Sequence, residues 1–536
     1  MEPQLQEKNA DAVKGEEVYG SQTYADKISL EDRTPSEGLL TRHGLKLHPQ
    51  PTGDPLDPLN WSFWRKHMIL GIVTWLYFLF TYITSTTVPS FPQIQELYGL
   101  SYAQVNWTVA LPALGLGAGP LVWSSFADIY GRRIIFIIGT IIALVSTCGA
   151  AVASNYGGYM AARFFQGLGA SPGATVGLAI VNDLFFDYER GQKLGYWVLA
   201  LDLGLLVGPL IGGFMVLVNQ FWINWLTAIL FAALLVAEIF FLPETLYPRN
   251  RMLTRMPVLS GDSTTTDIEK VGTVRCDATD IELKRTKTLP FINVKPVPGM
   301  RHPKPWATLV RFFLTFKFPV VVIPVCIYCF LWWWWTASII TMIPAAYVQY
   351  SPQAQGLLFI GLILGTLSSE FLVSGRLSDH IIERLAKKNH GVRVPEMRLW
   401  LAYPAATLTS IGVILWGISI DKQYHWIVGQ IAFFIFAAGI QMGNTIIASY
   451  IVDCYPLQSM SVIAFYTVIM NIGAFVNPFF IAPWWESSGF TMTFAAQGII
   501  TFFAGVPAIA LLHKFGPAIR AKSGQPSWIN PEYDSY

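Results

Sequence analysis

Four ionisable side chains interrupt runs that are otherwise apolar: Arg163, Asp202, Glu238 and Glu370. A charged group inside a stretch long enough to leave water is costly unless it is paired or wetted, so each is a functional candidate. Asp202 is the most isolated, with Val198-Leu199-Ala200-Leu201 before it and Leu203-Gly204-Leu205-Leu206 after it. A carboxylate in that setting readily exchanges a proton, which makes Asp202 the proton-carrying candidate and Arg163 its modulator. For Arg163 the plain alternative is a guanidinium bonded to backbone carbonyls between helices. Glu370 is a further candidate for proton coupling. It and Glu238 lie nearer the ends of their runs, and reaching the interface is the plain alternative for both.

Two other patterns could move rather than react. Gly204-Leu205-Leu206-Val207-Gly208-Pro209-Leu210-Ile211-Gly212-Gly213 repeats glycine every fourth residue, which bares a stripe on one helix face for close packing. Pro209 removes one helical hydrogen bond and permits a bend. Gly169, Gly173 and Gly177 form a similar stripe, so such stripes also serve ordinary packing. Asp128-Ile129-Tyr130-Gly131-Arg132-Arg133 and Ser374-Gly375-Arg376-Leu377-Ser378-Asp379 each place an Asp beside bases after an apolar run. A carboxylate at a helix end that finds its partner in one conformation only suits a gate. Topological positive charge with a turn is the plain alternative.

These residues must be held by membrane helices. The chain is 53% hydrophobic and only 13% charged, too few charges to clothe a water-exposed surface of its size. Twelve segments are long and apolar enough to cross a bilayer: 68–90, 105–126, 134–153, 157–182, 195–218 and 222–242, then 318–343, 355–375, 399–420, 426–451, 460–482 and 492–514. No alternating barrel pattern is present, so these are helices. The first 60 residues carry no cleavable signal peptide. Loops on one side hold almost no Lys or Arg. The other side holds Arg65, Lys66, Arg132, Arg133, Arg190, Lys193, Arg376, Arg384, Lys387, Lys388, Lys514, Arg520 and Lys522. The positive-inside rule then places both termini and the central loop in the cytoplasm. On that topology Asn60-Trp61-Ser62 cannot be glycosylated, and Asn106-Trp107-Thr108 lies too near the lipid.

The twelve segments split six and six. The expected organisation is a cytoplasmic tail over 1–66, a six-helix bundle over 67–243, a central loop over 244–317, a second bundle over 318–514 and a tail over 515–536. The central loop lacks a sustained apolar period until Pro305–Phe313, which reads as an amphipathic segment at the interface. The halves echo one another. The Asp128 and Asp379 junctions correspond, and so do Ile180-Val181-Asn182-Asp183 and Ile451-Val452-Asp453. Parallel repeats of this kind are a transporter design.

Several of these motifs resemble those of the major facilitator superfamily. Asp128, Gly131, Arg132 and Arg133 match its loop signature, although Ser124, Phe126 and Ile129 replace a Gly, a Leu and an Arg. Arg163-Phe164-Phe165-Gln166-Gly167-Leu168-Gly169-Ala170 resembles the motif tied there to proton coupling. The Gly204–Gly213 stretch, with Gly204, Gly208, Pro209, Gly212 and Gly213, resembles the signature of proton-driven exporters. Asp57-Pro58-Leu59-Asn60-Trp61 with Pro243-Glu244-Thr245 is similar to fungal twelve-helix drug:proton antiporters. Pro243-Glu244-Thr245 also resembles sugar porters, and Ser449–Pro456 resembles fungal polyamine and cation permeases. The resemblance implies an all-α major facilitator fold of two pseudo-symmetric bundles, in which Asp128, Gly131, Arg132, Arg133, Gly375 and Asp379 gate the cytoplasmic side.

Polar and aromatic residues at mid-span are the candidates for a substrate cavity: Tyr82, Thr84, Ser85, Gln166, Gln441, Asn444, Asn471 and Asn477. Trp332 to Trp335 surround a whole helix, so only one or two can face the cavity, and Trp334 is taken as the candidate. An aromatic, weakly polar cavity suits amphipathic or cationic molecules. The expected function is export of a small organic molecule, a drug, toxin or secondary metabolite, in exchange for protons. The alternatives are an importer of a cation or polyamine-like solute and a transporter-like nutrient receptor. No enzyme constellation appears, nor a phosphate-binding loop for ATP. The five cysteines are not a disulfide framework, and Cys326 and Cys329 sit in an apolar run, so neither metal nor cofactor is expected. The net charge of +2 gives no sign of a nucleic-acid partner. The expected partners are substrate, protons and lipid, around a monomer in the plasma membrane, with the vacuolar, peroxisomal or vesicle membrane as alternatives.

Overall fold

The computed structural model describes residues 51–247 and 295–528, apart from 53, 220, 298–302, 375, 390–393, 456–457 and 527, together with 41–42 and 45–46. Apart from a two-residue hairpin of Thr41–Arg42 on Leu45–Lys46, the described elements are helices.

Among the described residues, eleven helical runs are long and apolar enough to cross a membrane. Spans 1 to 6 are Phe63–Tyr98, Tyr102–Tyr130, Arg132–Val152, Tyr156–Leu184, Asp187–Met215 and Phe221–Phe241. Spans 7 to 10 are Pro319–Ala346, Pro352–Val373, Pro395–Asp421 and Trp426–Cys454. The last run, Ser459–Ser523, reverses at Gly489, whose φ of 74° lies in the left-handed region open to glycine. It therefore supplies spans 11 and 12, which brings the crossings among the described residues to twelve.

Local sequence explains where the helices begin. Span 2 opens on a reciprocal cap, in which Ser101 Oγ accepts from Gln104 N and Gln104 Oε1 accepts from Ser101 N at 2.9 Å. Asn155 caps span 4 through Gly158 N. Span 4 is interrupted at Ser171, where Pro172 starts its second half. Spans 7, 8 and 12 each contain a π-helical turn, at Tyr328–Trp333, Glu370–Ser374 and Thr501–Gly505. Such turns insert a residue and rotate the rest of the helix about its axis.

The outer spans keep apolar residues exposed for lipid, among them Val145 and Val152 on span 3, Phe240 on span 6, Ile411 on span 9 and Phe503 on span 12. Within each half, spans 1 and 5 pack together, as do 2 and 4, and 3 and 6. Spans 8 and 10, 9 and 10, and 9 and 12 do the same in the second half. The halves meet where span 2 lies against span 11 and span 5 against span 8.

The repeat carries through to paired charges. Arg132 at the start of span 3 pairs with Asp183 at the end of span 4, and Arg398 at the start of span 9 pairs with Asp453 of span 10 at 2.6 Å. The expected amphipathic segment is a helix, Ala307–Thr315, hereafter the linker helix. Its Thr308 bonds Ser125 of span 2 at 2.7 Å, while Phe312 and the capping residue Phe316 pack their rings against Phe465 of span 11, the second edge to face. It thus touches both halves at the end of the molecule that bears the basic residues.

Candidate functional site

Where the halves meet lies a small, partly enclosed cavity of about 30 Å³, room for about one water molecule. Thr81, Thr84, Ser85 and Leu205 line it from the first half, and Trp333, Thr341, Met470 and Asn471 from the second. Of the expected cavity residues, Ser85, Thr84 and Asn471 are there. Trp334 is not. The π-helical turn ending at Trp333 adds a residue to the turn, so regular α-helical spacing misplaces the tryptophans. Trp333 reaches the cavity while Trp334 packs edge to face against Phe330 and Phe480. Trp332 is fully buried against Gly443 and Gly505, and Trp335 donates to Thr501 Oγ1 at 2.8 Å.

Tyr82, Gln166, Gln441, Asn444 and Asn477 are also turned elsewhere. The ring of Tyr82 stacks on Phe78, and Asn477 bonds Ser338 Oγ at 2.8 Å. Gln166 accepts from Arg163 at 2.8 Å and donates to Thr147 Oγ1 at 2.8 Å, inside the first bundle. Gln441 and Asn444 hold the carboxylates. Gln441 Nε2 and Thr445 Oγ1 donate to Glu370 Oε2 at 2.9 and 3.0 Å, and Asn444 Nδ2 donates to Asp202 Oδ2 at 2.9 Å. Amide groups at these mid-span positions are as able to serve a buried acid as a substrate, and sequence spacing cannot separate the two.

Asp202 is 7% exposed, and its bond to Asn444 joins span 5 of one half to span 10 of the other. Tyr466 OH donates to Asn444 Oδ1 at 2.7 Å and so fixes which end of that amide faces Asp202. Tyr77, Tyr328, Tyr466 and Glu370 lie within electrostatic reach of Asp202. Arg163 is not among these groups, which corrects the expected pairing. It is fully buried in the first bundle, bonding Thr108 O, Gln166 Oε1 and Thr87 Oγ1, all neutral. Glu238, expected to reach the interface, is also fully buried and accepts from Thr140 at 2.8 Å.

Span 5 is held against span 1 along the glycine stripe. A Cβ at Gly204, Gly208 or Gly212 would fall against the backbone of Phe78, Tyr82 and Thr86 in turn. Span 1 hydroxyls fill the same seam: Thr81 bonds Leu201 O, Ser85 bonds Leu205 O at 2.7 Å and Thr86 bonds Gly208 O at 3.2 Å. Leu205 O is the carbonyl that Pro209, lacking an N–H, leaves without its helical donor, and Ser85 replaces it. Gly213 turns the other way and meets Pro352 and Gly356 of span 8, across the interface between halves.

The loop after span 2 is knit into its own half. Arg132 donates to Ala179 O at 2.8 Å and Arg133 to Ile239 O at 2.7 Å, in the closing turns of spans 4 and 6, where basic groups complement the helix ends. Glu244 accepts from Arg132 N and Arg133 N, capping span 3. Gly131, at φ 107°, has no Cβ to collide with that carboxylate. Asp128 lies at the end of span 2. Gly375 lies outside the described residues, and Asp379 is described only by its place on the helix Arg376–Lys388.

The Asp57-Pro58-Leu59-Asn60-Trp61 motif is structural. Asp57 accepts from Thr52 N, Thr52 Oγ1 and Leu59 N, closing the turn that leads into span 1. Tyr247, after span 6, donates to Asp54 at 3.1 Å, and burial pushes its phenol up to about 12, which keeps the donated proton in place. Asn106 of the second sequon is wholly buried, so no sugar reaches it. Among the described residues no cluster of three metal-ligating side chains exists.

Comparison with known proteins agrees with this architecture. The family model described as Major Facilitator Superfamily matches residues 73–478. Protein HOL1 of Saccharomyces cerevisiae is 25% identical, covering 94% of this chain and 94% of its own. A probable efflux pump, mfs2, of Aspergillus flavus is 28% identical over 81% of this chain and 98% of its own. The probable drug/proton antiporter YHK8 of Saccharomyces cerevisiae is 26% identical over 88% of each. Among solved structures, the xylose transporter XylE from E. coli superposes with a TM-score of 0.56 at 14% identity, over 84% of this chain and 97% of that one. By its family model, its twelve-span fold and its repeat, the chain belongs to the major facilitator superfamily and is a membrane transporter.

Proposed function

We propose that this transporter exports a small organic molecule, a drug, toxin or secondary metabolite, in exchange for protons by alternating access. The observation that carries the reading is Asp202, a buried carboxylate on the interface between the halves, two residues before the Gly204–Gly213 stretch that resembles the exporter signature. A proton on Asp202 changes the charge at the seam that must part, which is what coupling requires. Glu370 is the second proton-handling carboxylate. Two relatives are named as a probable efflux pump and a probable drug/proton antiporter, which supports the direction. Asp128, Gly131, Arg132, Arg133, Gly375 and Asp379 serve the gate at the basic end. That end faces the cytoplasm, with both termini, and the plasma membrane is the working location.

The cavity walls set aliphatic surface and one tryptophan beside four hydroxyls, Thr81, Thr84, Ser85 and Thr341, each bonded to a backbone carbonyl, a mixture that suits an amphipathic molecule. A second reading is proton-coupled or facilitative uptake of a cation. It is favoured by two carboxylates, Asp202 and Glu370, whose immediate hydrogen-bond partners are all neutral. One experiment separates the readings. Accumulation of a labelled compound panel is compared in cells with and without the protein, before and after the proton gradient is collapsed. Lower accumulation that reverses on collapse supports export. Proton-dependent uptake favours the second reading, and no difference for any compound under either condition defeats both.

A further inference from the structure

One face of span 10 reads both interface carboxylates. Gln441 and Thr445 donate to Glu370, which belongs to their own half, and Asn444 donates across the seam to Asp202. Residues 441, 444 and 445 are spaced by three and four, so they project from one side of the helix. Glu370 also faces the first half, since a Cβ on Gly195 of span 5 would lie 3.3 Å from its Oε1. Gly195 and Asp202 are seven residues apart, two turns on one face of span 5. Both carboxylates therefore sit along a single seam between spans 5, 8 and 10.

The two contacts differ in what separation of the halves would do to them. The Gln441 and Thr445 bonds lie inside the second half and survive any rigid-body rocking of one half against the other. The Asn444 bond spans the halves and must break when spans 5 and 10 part. We propose that Asn444 is a positioning residue, a clasp that turns the protonation of Asp202 into release of one half from the other. The proposal rests on the reading that Asp202 exchanges protons.

The chemistry favours this role. Tyr466 OH donates to Asn444 Oδ1, so the amide can offer Asp202 only its N–H. A bond from an amide N–H to an ionised carboxylate is charge-assisted and about twice as strong as one to a neutral acid. Loading a proton on Asp202 therefore weakens the clasp, and losing it restores the clasp. The ionisable groups within electrostatic reach of Asp202 are Glu370 of span 8, Tyr77 of span 1, Tyr328 of span 7 and Tyr466 of span 11; no base is among them. Among the described residues, Asp202 thus relies on Asn444 for its hydrogen bond.

The test needs no substrate. Spin labels at two exposed positions near the basic end, Tyr196 on span 5 and Trp400 on span 9, report the separation of the halves in nanodiscs as pH is varied. The labelled parent should change its distance distribution with pH, and Asp202→Asn should hold one distribution throughout. Asn444→Ala should lose the pH-dependent component although Asp202 is intact, and Asn444→Gln should restore part of it. If Asn444→Ala responds to pH as fully as the parent, the clasp is refuted while proton exchange at Asp202 stands. If the parent itself does not respond, the proton reading fails and takes the proposal with it. Should Asn444→Ala not fold, Tyr466→Phe, which deletes only the hydroxyl that orients the amide, carries the same test. Its response should be smaller than the parent's, and an undiminished response refutes the clasp.

Discussion

Placing a methyl group in the seam between spans 1 and 5 tests whether the glycine stripe is a packing device. At Gly212 the new Cβ would sit well inside 3.0 Å of Thr86 O, a separation real Cβ atoms do not adopt. The obstacle is backbone, which cannot rotate away, so spans 1 and 5 must move apart. Overpacking of this kind costs about 1–3 kcal/mol. The displacement also stretches the Thr86 to Gly208 hydrogen bond, already 3.2 Å long, whose loss adds about 0.5–1.5 kcal/mol. Gly212→Ala is therefore expected to cost about 2–4 kcal/mol. On the scaling for a bundle of 150–250 residues, that lowers the unfolding midpoint by about 4–16 °C. The assay is thermal unfolding of the purified protein in detergent at one fixed scan rate, followed by tryptophan fluorescence. Gly71→Ala on span 1 is the control, because its Cβ would meet nothing within 4 Å. If Gly212→Ala and Gly71→Ala melt together, the stripe does not hold the spans and the reasoning is wrong.

Ser85→Ala should cost about 1–3 kcal/mol by orphaning Leu205 O, and adding Pro209→Ala should recover part of the loss by returning a helical N–H to that carbonyl; a double-mutant cycle in thermal unfolding measures the coupling. Trp333→Ala should enlarge the cavity and change the apparent affinity for a transported compound several-fold, whereas Trp334→Ala should leave it near the parent value, read by concentration-dependent transport. Arg132→Ala should cost about 1.5–3 kcal/mol, because a largely buried guanidinium gives up its charge-assisted bonds to Asp183 and to Ala179 O. Arg398→Ala should cost only about 1 kcal/mol, because Asp453 is 39% exposed and water can take over; the two melting curves are compared directly.

The membrane makes the spans legible. A bilayer demands about twenty apolar residues per crossing, and that demand leaves its mark on sequence whatever the packing. The repeat is legible for a related reason, since Asp183 and Asp453 end corresponding helices and each finds an Arg at the start of the preceding span. Asp202 and Ser85 stand out as polar atoms in apolar surroundings. Residue types alone do not convey which polar group answers which. Asn444 looks like a cavity residue until span 5 of the other half brings Asp202 to it, 242 positions away in the chain. Arg163 and Asp202 look like partners because both are charged, yet the first bundle satisfies the guanidinium with neutral oxygens. The tryptophan run misleads for a geometric reason, because a π-helical turn has no strong residue signature and changes the face on which every later side chain emerges.

The linker helix has a consequence for assembly. It grips span 2 through Ser125 and span 11 through Phe465, two elements synthesised more than three hundred residues apart. A chain divided ahead of Ala307 would leave this grip on the second fragment, ready to collect the first. A chain divided just beyond Phe316 would leave it on the first fragment, where Phe312 and Phe316 would wait for Phe465 until span 11 arrived. In either case the join between halves would rest on this short amphipathic segment together with the contacts of span 2 with span 11 and of span 5 with span 8, rather than on the continuity of the backbone.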